Sequence, residues 1–289
     1  MNIQGMKLPV IVYHKIILLY LLIIPLLCIP VSSSSILSDS YCEEIGTYNN
    51  NSTYQNNLNK VLSNLTNKSS VTGFGTYKAG VGSNTVYGLY NCRGDLDSPM
   101  CHECVQEASK LIITECPSKM EAIIWYHECT LRYANRSISS HFEDSPIATE
   151  YSEVYPDPNL AELLRDTMNG LIKKAAYDNS TKGYAEGKGI LTKYVDTLHC
   201  LVQCTPDILG SQCEKCLRSA MTTMPKDLTF YMIFSPSCNV FYRIGYFAAG
   251  TTNNDSAVPP TPFIKGTNNA YLFFLLRQQI VLGVQQFKS

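Results

Sequence analysis

The chain is short of net charge: 23 Lys and Arg against 24 Asp and Glu leave a formal charge of −1 over 289 residues. A balance this close to zero gives no long-range field to draw in nucleic acid or an anionic membrane, so neither partner is implied. Several catalytic signatures are missing as well. There is no G-x-S-x-G elbow and no glycine-rich phosphate loop, and His127-Glu128 is not followed by a histidine at the spacing of a helix-borne zinc protease site. A Cys–His nucleophile would need a free thiol of low pKa. His199 stands beside Cys200, but adjacent strand residues point to opposite faces and cannot share a proton. No enzyme activity and no cofactor are therefore expected. Disorder is excluded too, because at 45% hydrophobic the chain has the material for a packed core.

Long apolar runs are also lacking. The run at 16–29 covers about 14 residues, short of the roughly 20 that cross a bilayer. Lys7, His14 and Lys15 precede it and Val31-Ser32-Ser33-Ser34-Ser35 follows, the charged, apolar, small-residue order of a secretory signal peptide. Residues 1–35 are read as that peptide, the alternative being an uncleaved anchor, with cleavage at 32–40 removing Cys28. The stretch at 270–284 is apolar but broken by Arg277-Gln278-Gln279, so 250–289 is expected to be a disordered tail and no transmembrane anchor is expected.

What the chain has is cysteine. Of its 12 cysteines, 11 remain after cleavage, in a compartment where disulfides form and persist. Sequons at Asn50, Asn51, Asn64, Asn67, Asn135, Asn179 and Asn254 point the same way. Asn51, Asn64, Asn67, Asn135 and Asn179 are the expected glycosylation sites.

The cysteines sit in a repeat. Cys92-x8-Cys101-x2-Cys104 recurs 112 residues later as Cys204-x8-Cys213-x2-Cys216. Glu128-Cys129-Thr130-Leu131-Arg132-Tyr133 is answered by Ser237-Cys238-Asn239-Val240-Phe241-Tyr242. Upstream, Leu58, Val61, Leu62 and Leu65 form one helical stripe, and Leu160, Leu164, Met168 and Leu171 form another. Each copy then reads as an amphipathic helix, a glycine-rich turn region, a strand ending at Cys92 or Cys204, a second helix (101–113 or 212–221), and terminal strands (122–133 or 230–247) rich in β-branched and aromatic residues. That order implies an α+β fold with helices on one face of an antiparallel sheet. The prolines of Tyr155-Pro156-Asp157-Pro158 suggest a linker. The expected layout is domain 1 at 36–148, a linker at 149–158 and domain 2 at 159–249.

Zinc is the rival use of Cys101-x2-Cys104 and Cys213-x2-Cys216. A zinc ribbon wants its two pairs about 15–20 residues apart, whereas these are separated by more than 100. No metal site is expected.

The doubled C-x8-C-x2-C frame, with Leu201-Val202-Gln203-Cys204-Thr205-Pro206-Asp207 and Ser235-Pro236-Ser237-Cys238-Asn239, resembles the plant cysteine-rich repeat secretory proteins. Their unit is the ginkbilobin-like, or salt-stress-response/antifungal, domain, which also forms ectodomains of cysteine-rich receptor-like kinases and plasmodesmata-located proteins. The resemblance, over about 40–248, implies two tandem domains, each with two helices on a five-stranded antiparallel sheet, stapled by disulfides. It implies the bridges Cys42–Cys116, Cys92–Cys101, Cys104–Cys129, Cys204–Cys213 and Cys216–Cys238. The second copy lacks the equivalents of Cys42 and Cys116 together, as the loss of a bridge requires. Closing that loop is worth roughly 4.5 kcal/mol in the chain-entropy model, so domain 2 is expected to be the weaker one.

Cys200 is left over, where the first copy has Gly88. Four strand residues span about 13 Å, too far for a bridge to Cys204. The readings left open are a buried free thiol, an intermolecular disulfide and re-pairing within the domain. Mannose-binding members of the family use an Asn, an Arg and a Glu at positions that here hold Glu43, Ile123 and Ala134; near Cys238 the second copy holds Met232 and Arg243. The expectation is that this sugar site has degenerated. The resemblance then implies a secreted, apoplastic or cell-surface interaction module in stress, defence or signalling. Its partners would be cell-surface or apoplastic proteins, including similar ectodomains, the alternative being a carbohydrate-binding antifungal lectin that recognises glycans at another site.

Overall fold

The computed structural model describes residues 35–191 and 196–245. The expected signal peptide up to residue 34, with Cys28, and residues 246–289, with Asn254 and the expected tail, lie outside the described residues.

Local signals set the helices. Ser52 caps α1 (Thr53–Ser69), its hydroxyl accepting the Gln55 N–H at 3.2 Å. Asp97 caps α2 (Ser98–Glu115), accepting the Met100 N–H at 2.9 Å, with Pro99 in the first turn. The stripe Leu58, Val61, Leu62 and Leu65 is buried on α1, and Leu160, Leu164, Met168 and Leu171 are buried on α3 (Leu160–Tyr177). The fourth helix, α4 (Ser211–Thr223), buries Cys213, Cys216, Leu217 and Ala220.

The strands are β1 (Leu37–Cys42), β2 (Phe74–Ala79), β3 (Val86–Cys92), β4 (Ala122–Tyr126), β5 (Cys129–Ala134), β6 (Ala148–Tyr151), β7 (Tyr184–Leu191), β8 (Asp196–Cys204), β9 (Phe230–Phe234) and β10 (Cys238–Ile244). They form two antiparallel sheets in the orders β1-β4-β5-β3-β2 and β6-β9-β10-β8-β7, the second repeating the first five strands later. Each sheet carries two helices on one face, so each repeat is the α+β unit that the sequence pattern implies.

The segment 149–158 differs from its reading as a linker. β6 is the edge strand of the second sheet, with Thr149 opposite Ile233 and Tyr151 opposite Tyr231. Val154 bridges to Leu228, and the Tyr155 N–H donates to Asp227 O at 2.7 Å. The two prolines therefore mark a loop inside the second domain, and the chain crosses between domains at 135–147. A four-residue strand is too short for its alternation to stand out in the sequence, which is why the prolines dominate there.

β4 and β9 read Ala-Ile-Ile-Trp-Tyr and Phe-Tyr-Met-Ile-Phe, and every residue in both is buried. Runs of this kind belong to strands covered on both faces. One face of each meets its own helices: Ala122, Ile124 and Tyr126 join the first core, and Tyr231 and Ile233 the second. The other faces meet each other. Ile123 and Trp125 pack with Ala148, Leu201, Phe230, Met232, Phe234 and Phe241 in a third core between the sheets. Both repeats consequently fall within one compact body.

Candidate functional site

Five disulfides tie the second helix of each repeat to its sheet. Cys92–Cys101 and Cys104–Cys129 do so in the first domain, and Cys204–Cys213 and Cys216–Cys238 in the second. Cys42–Cys116 adds a staple from β1 to the end of α2, spanning 74 residues of sequence. In the second domain Tyr151, opposite Tyr231, stands where Cys42 stands opposite Ala122. α1 and α3 are held by packing. A chain with five such bridges is a protein of the oxidising secretory pathway and the extracellular space.

Cys200 lies in the second core at 2% exposure and forms no disulfide. Burial pushes its thiol up to about 12, which suppresses the nucleophilic thiolate at neutral pH. Its counterpart explains the difference between the copies: a Cβ at Gly88 would stand 2.3 Å from Val61 Cγ1 and 2.8 Å from Leu65 Cδ1. Only the second core has room for the thiol. Among the described residues, no group of His, Cys, Asp and Glu is arranged to hold a metal ion. No helix among them is long and apolar enough to cross a membrane.

Of the three positions expected to hold a degenerate sugar site, Glu43 and Ile123 meet at one small cleft and Ala134 does not line it. Ile123 is 4% exposed and belongs to the core between the sheets. Ala134 is 1% exposed and packs with Leu89 and Ile138. Glu43 and Ile123 both line this cleft of about 90 Å³, together with Tyr41, Glu121, Arg132, Arg136 and Glu143; it is well below the roughly 300–1,000 Å³ of small-molecule sites. The Glu43 carboxylate lies near the Tyr41 hydroxyl, whose pKa it raises. Of the second-domain positions, Met232 is buried in the core between the sheets, and Arg243 lies opposite His199 and Phe230 on β10.

That cleft is lined by an ion network anchoring the interdomain crossing. Arg136 pairs with Glu121 and, at 2.7 Å, with Glu143; Arg132 pairs with Glu143 at 3.0 Å and donates to Ile138 O at 2.8 Å. Burial alone would raise the Glu143 carboxyl, but hydrogen bonds from Arg136 and the charge of Arg132 outweigh it and hold the group below its usual value. Burial pushes the Arg132 guanidinium down despite Glu143.

Polar contacts between the domains follow the same surface. Gln203, 4% exposed, donates from Nε2 to Cys92 O at 2.8 Å and accepts the Gly94 N–H at 3.1 Å. His127 Nε2 lies 2.9 Å from Glu150 Oε2, and Trp125 Nε1 donates to Ser235 O at 3.4 Å. Ser140 N donates to Asp207 Oδ2 at 2.6 Å, and Glu143 N to Ser237 Oγ at 3.0 Å. Gly94 is required here, since a Cβ would fall 2.4 Å from Tyr184 Cγ. Motif reading does not find these residues, although the continuous apolar runs of β4 and β9 are a signal for the covered face. The sequon residues Asn50, Asn51, Asn64, Asn67, Asn135 and Asn179 are exposed.

Fold, bridges and interface together define a tandem, disulfide-stapled, extracellular module whose two units are fused through their sheets. The family model described as salt stress response/antifungal matches residues 41–136 and 146–244, and the chain belongs to that family. It is 36% identical over 219 residues to cysteine-rich repeat secretory protein 1 of Arabidopsis thaliana, covering 72% of this chain and 63% of that protein. With cysteine-rich receptor-like protein kinase 26 of the same plant it shares 32% over 245 residues, 81% of this chain but 37% of the kinase. The chain thus spans under two thirds of the length of these relatives. Among solved structures, the tandem DUF26 ectodomain of the Arabidopsis thaliana cysteine-rich receptor-like protein PDLP8 superposes with a TM-score of 0.65 at 23% identity, covering 74% of this chain and all of that one. The PDLP5 ectodomain gives 0.60 at 22% identity, covering 72% and 98%. At these identities the likeness is one of fold.

Proposed function

We propose that this protein is a non-enzymatic interaction module of the plant apoplast or cell surface, working in stress, defence or signalling through protein partners, among them related tandem ectodomains. One observation carries the reading: Ile123, which stands where sugar-binding relatives have an arginine, is buried in the core between the two sheets. Two of the three mannose-site positions are apolar and buried, and the cleft left there is only about 90 Å³, lined by side chains already engaged in the protein's own ion pairs. A sugar needs fixed donors and acceptors for its hydroxyls, and each one left unpaired on burial costs about 1–3 kcal/mol. Membership of a family that includes receptor-like kinases supports recognition of proteins. The test is pairwise biolayer interferometry of the purified, glycosylated chain against ectodomains of its receptor-like kinase relatives, with a glycan array in parallel. Saturable binding to an ectodomain is expected. Strong glycan binding with no ectodomain bound would replace this reading with that of a lectin using another site.

A further inference from the structure

The two domains share a fold, but the seam between their helices differs. In the first domain Thr66 on α1 meets Ser109 on α2, with 3.0 Å between their hydroxyl oxygens. Ser109 stands five residues after Cys104, and Met221 stands five after Cys216, so the second domain puts a long apolar side chain where the first has a hydroxyl. The helices also differ in length. α2 runs to Glu115, eleven residues beyond Cys104, whereas α4 ends at Thr223, seven beyond Cys216. The second domain also has no counterpart of the Cys42–Cys116 staple at this end. The result is a groove of about 340 Å³ between α3 and α4, within the range of small-molecule sites. Leu164, Ile172 and Met221 line it as apolar groups; Arg165, Arg218 and Lys226 line it as cations, and no carboxylate does.

We propose that this groove binds a small amphiphile with an aliphatic body and a carboxylate head, such as a medium-chain fatty acid. The aliphatic part lies against Met221 and the aliphatic stems of Arg165, Arg218 and Lys226, over a floor that Leu164 and Ile172 close from the second core, gaining the burial free energy of apolar surface. The head goes to the cationic rim. Arg218 is already held by Glu214 at 2.7 Å and by Asn169 Oδ1 at 3.2 Å, and Arg165 is paired with Asp166 at 3.0 Å. Lys226 has no ion-pair partner among the described residues and is exposed. It is the charge left to receive the carboxylate, and an ammonium at this position disfavours a cationic amphiphile of the same length. Met221 takes the place of a first-domain hydroxyl, which assigns the site to one repeat of the two.

The experiment is isothermal titration of the full, disulfide-bonded chain with dodecanoate below its micelle concentration, beside dodecyltrimethylammonium. One saturable site for dodecanoate is expected, with at least tenfold weaker binding of the cation. Lys226→Glu, at an exposed position, should lower dodecanoate affinity at least tenfold with the thermal transition unchanged. Met221→Trp should fill the groove and abolish uptake. Absence of saturable binding, equal affinity for the cation, or an affinity that neither variant moves would overturn the proposal.

Discussion

Replacing Trp125 with alanine tests the coupling of the two repeats most severely. The indole is 1% exposed, projects from β4 away from its own helices, and packs with Phe230, Phe234 and Phe241 of the other sheet. Truncation removes that packing, leaves a cavity and deletes the donor to Ser235 O. Large-to-small changes of this kind cost about 3–5 kcal/mol. For a folded body of this size each kcal/mol lowers the melting temperature by about 2–4 °C, so the loss should be about 6–20 °C. The shape of the transition is the sharper readout. By scanning calorimetry the wild-type chain should unfold in one transition, because neither sheet keeps both faces buried without the other. Trp125→Ala should split it, with the second domain, lacking a third staple, melting first. Two separate wild-type transitions, or a Trp125→Ala profile indistinguishable from wild type, would refute the shared-core argument.

Two further expectations concern titrating groups. Cys200 should resist alkylation in the native protein at pH 7 and react after unfolding, as followed by mass spectrometry; its folded thiol pKa, near 12, lies above the unfolded value. Its contribution to stability is therefore complete below the unfolded pKa and is lost as pH rises toward 12; rapid native labelling or a disulfide-linked dimer on a non-reducing gel would contradict this. Glu143 has the opposite sign. Its folded pKa is depressed by Arg136 and Arg132, so its contribution is present above the unfolded carboxyl pKa and fades as pH falls through the folded value. Glu143→Gln should flatten the acid limb of the stability–pH curve, and an acid limb unchanged by that substitution would remove the ion network from the account.

The helices, the repeat and the α+β class were legible because their signals are local: stripes three and four residues apart on α1 and α3, and a cysteine frame repeated twice. β6 was not, because four residues pair through contacts with β9 some 80 positions away and the nearby prolines suggest a break. The interdomain core was partly legible, since β4 and β9 lack the polar alternation of a sheet with one wet face. What that second face meets is a property of two distant segments, and composition alone does not name it. Ile123 illustrates the point: as a sequence position it reads only as a lost arginine, whereas in the fold it is part of the surface that joins the domains.

The central functional claim is that the mannose site of sugar-binding relatives is lost here, with Ile123 buried in the core between the two sheets. Calorimetric titration of the glycosylated protein with mannose and with mannan measures it directly. The account predicts no saturable heat with either, for wild type and for Glu43→Ala alike. Saturable mannose binding that disappears in Glu43→Ala would place the ligand in the cleft beside β1 and contradict it.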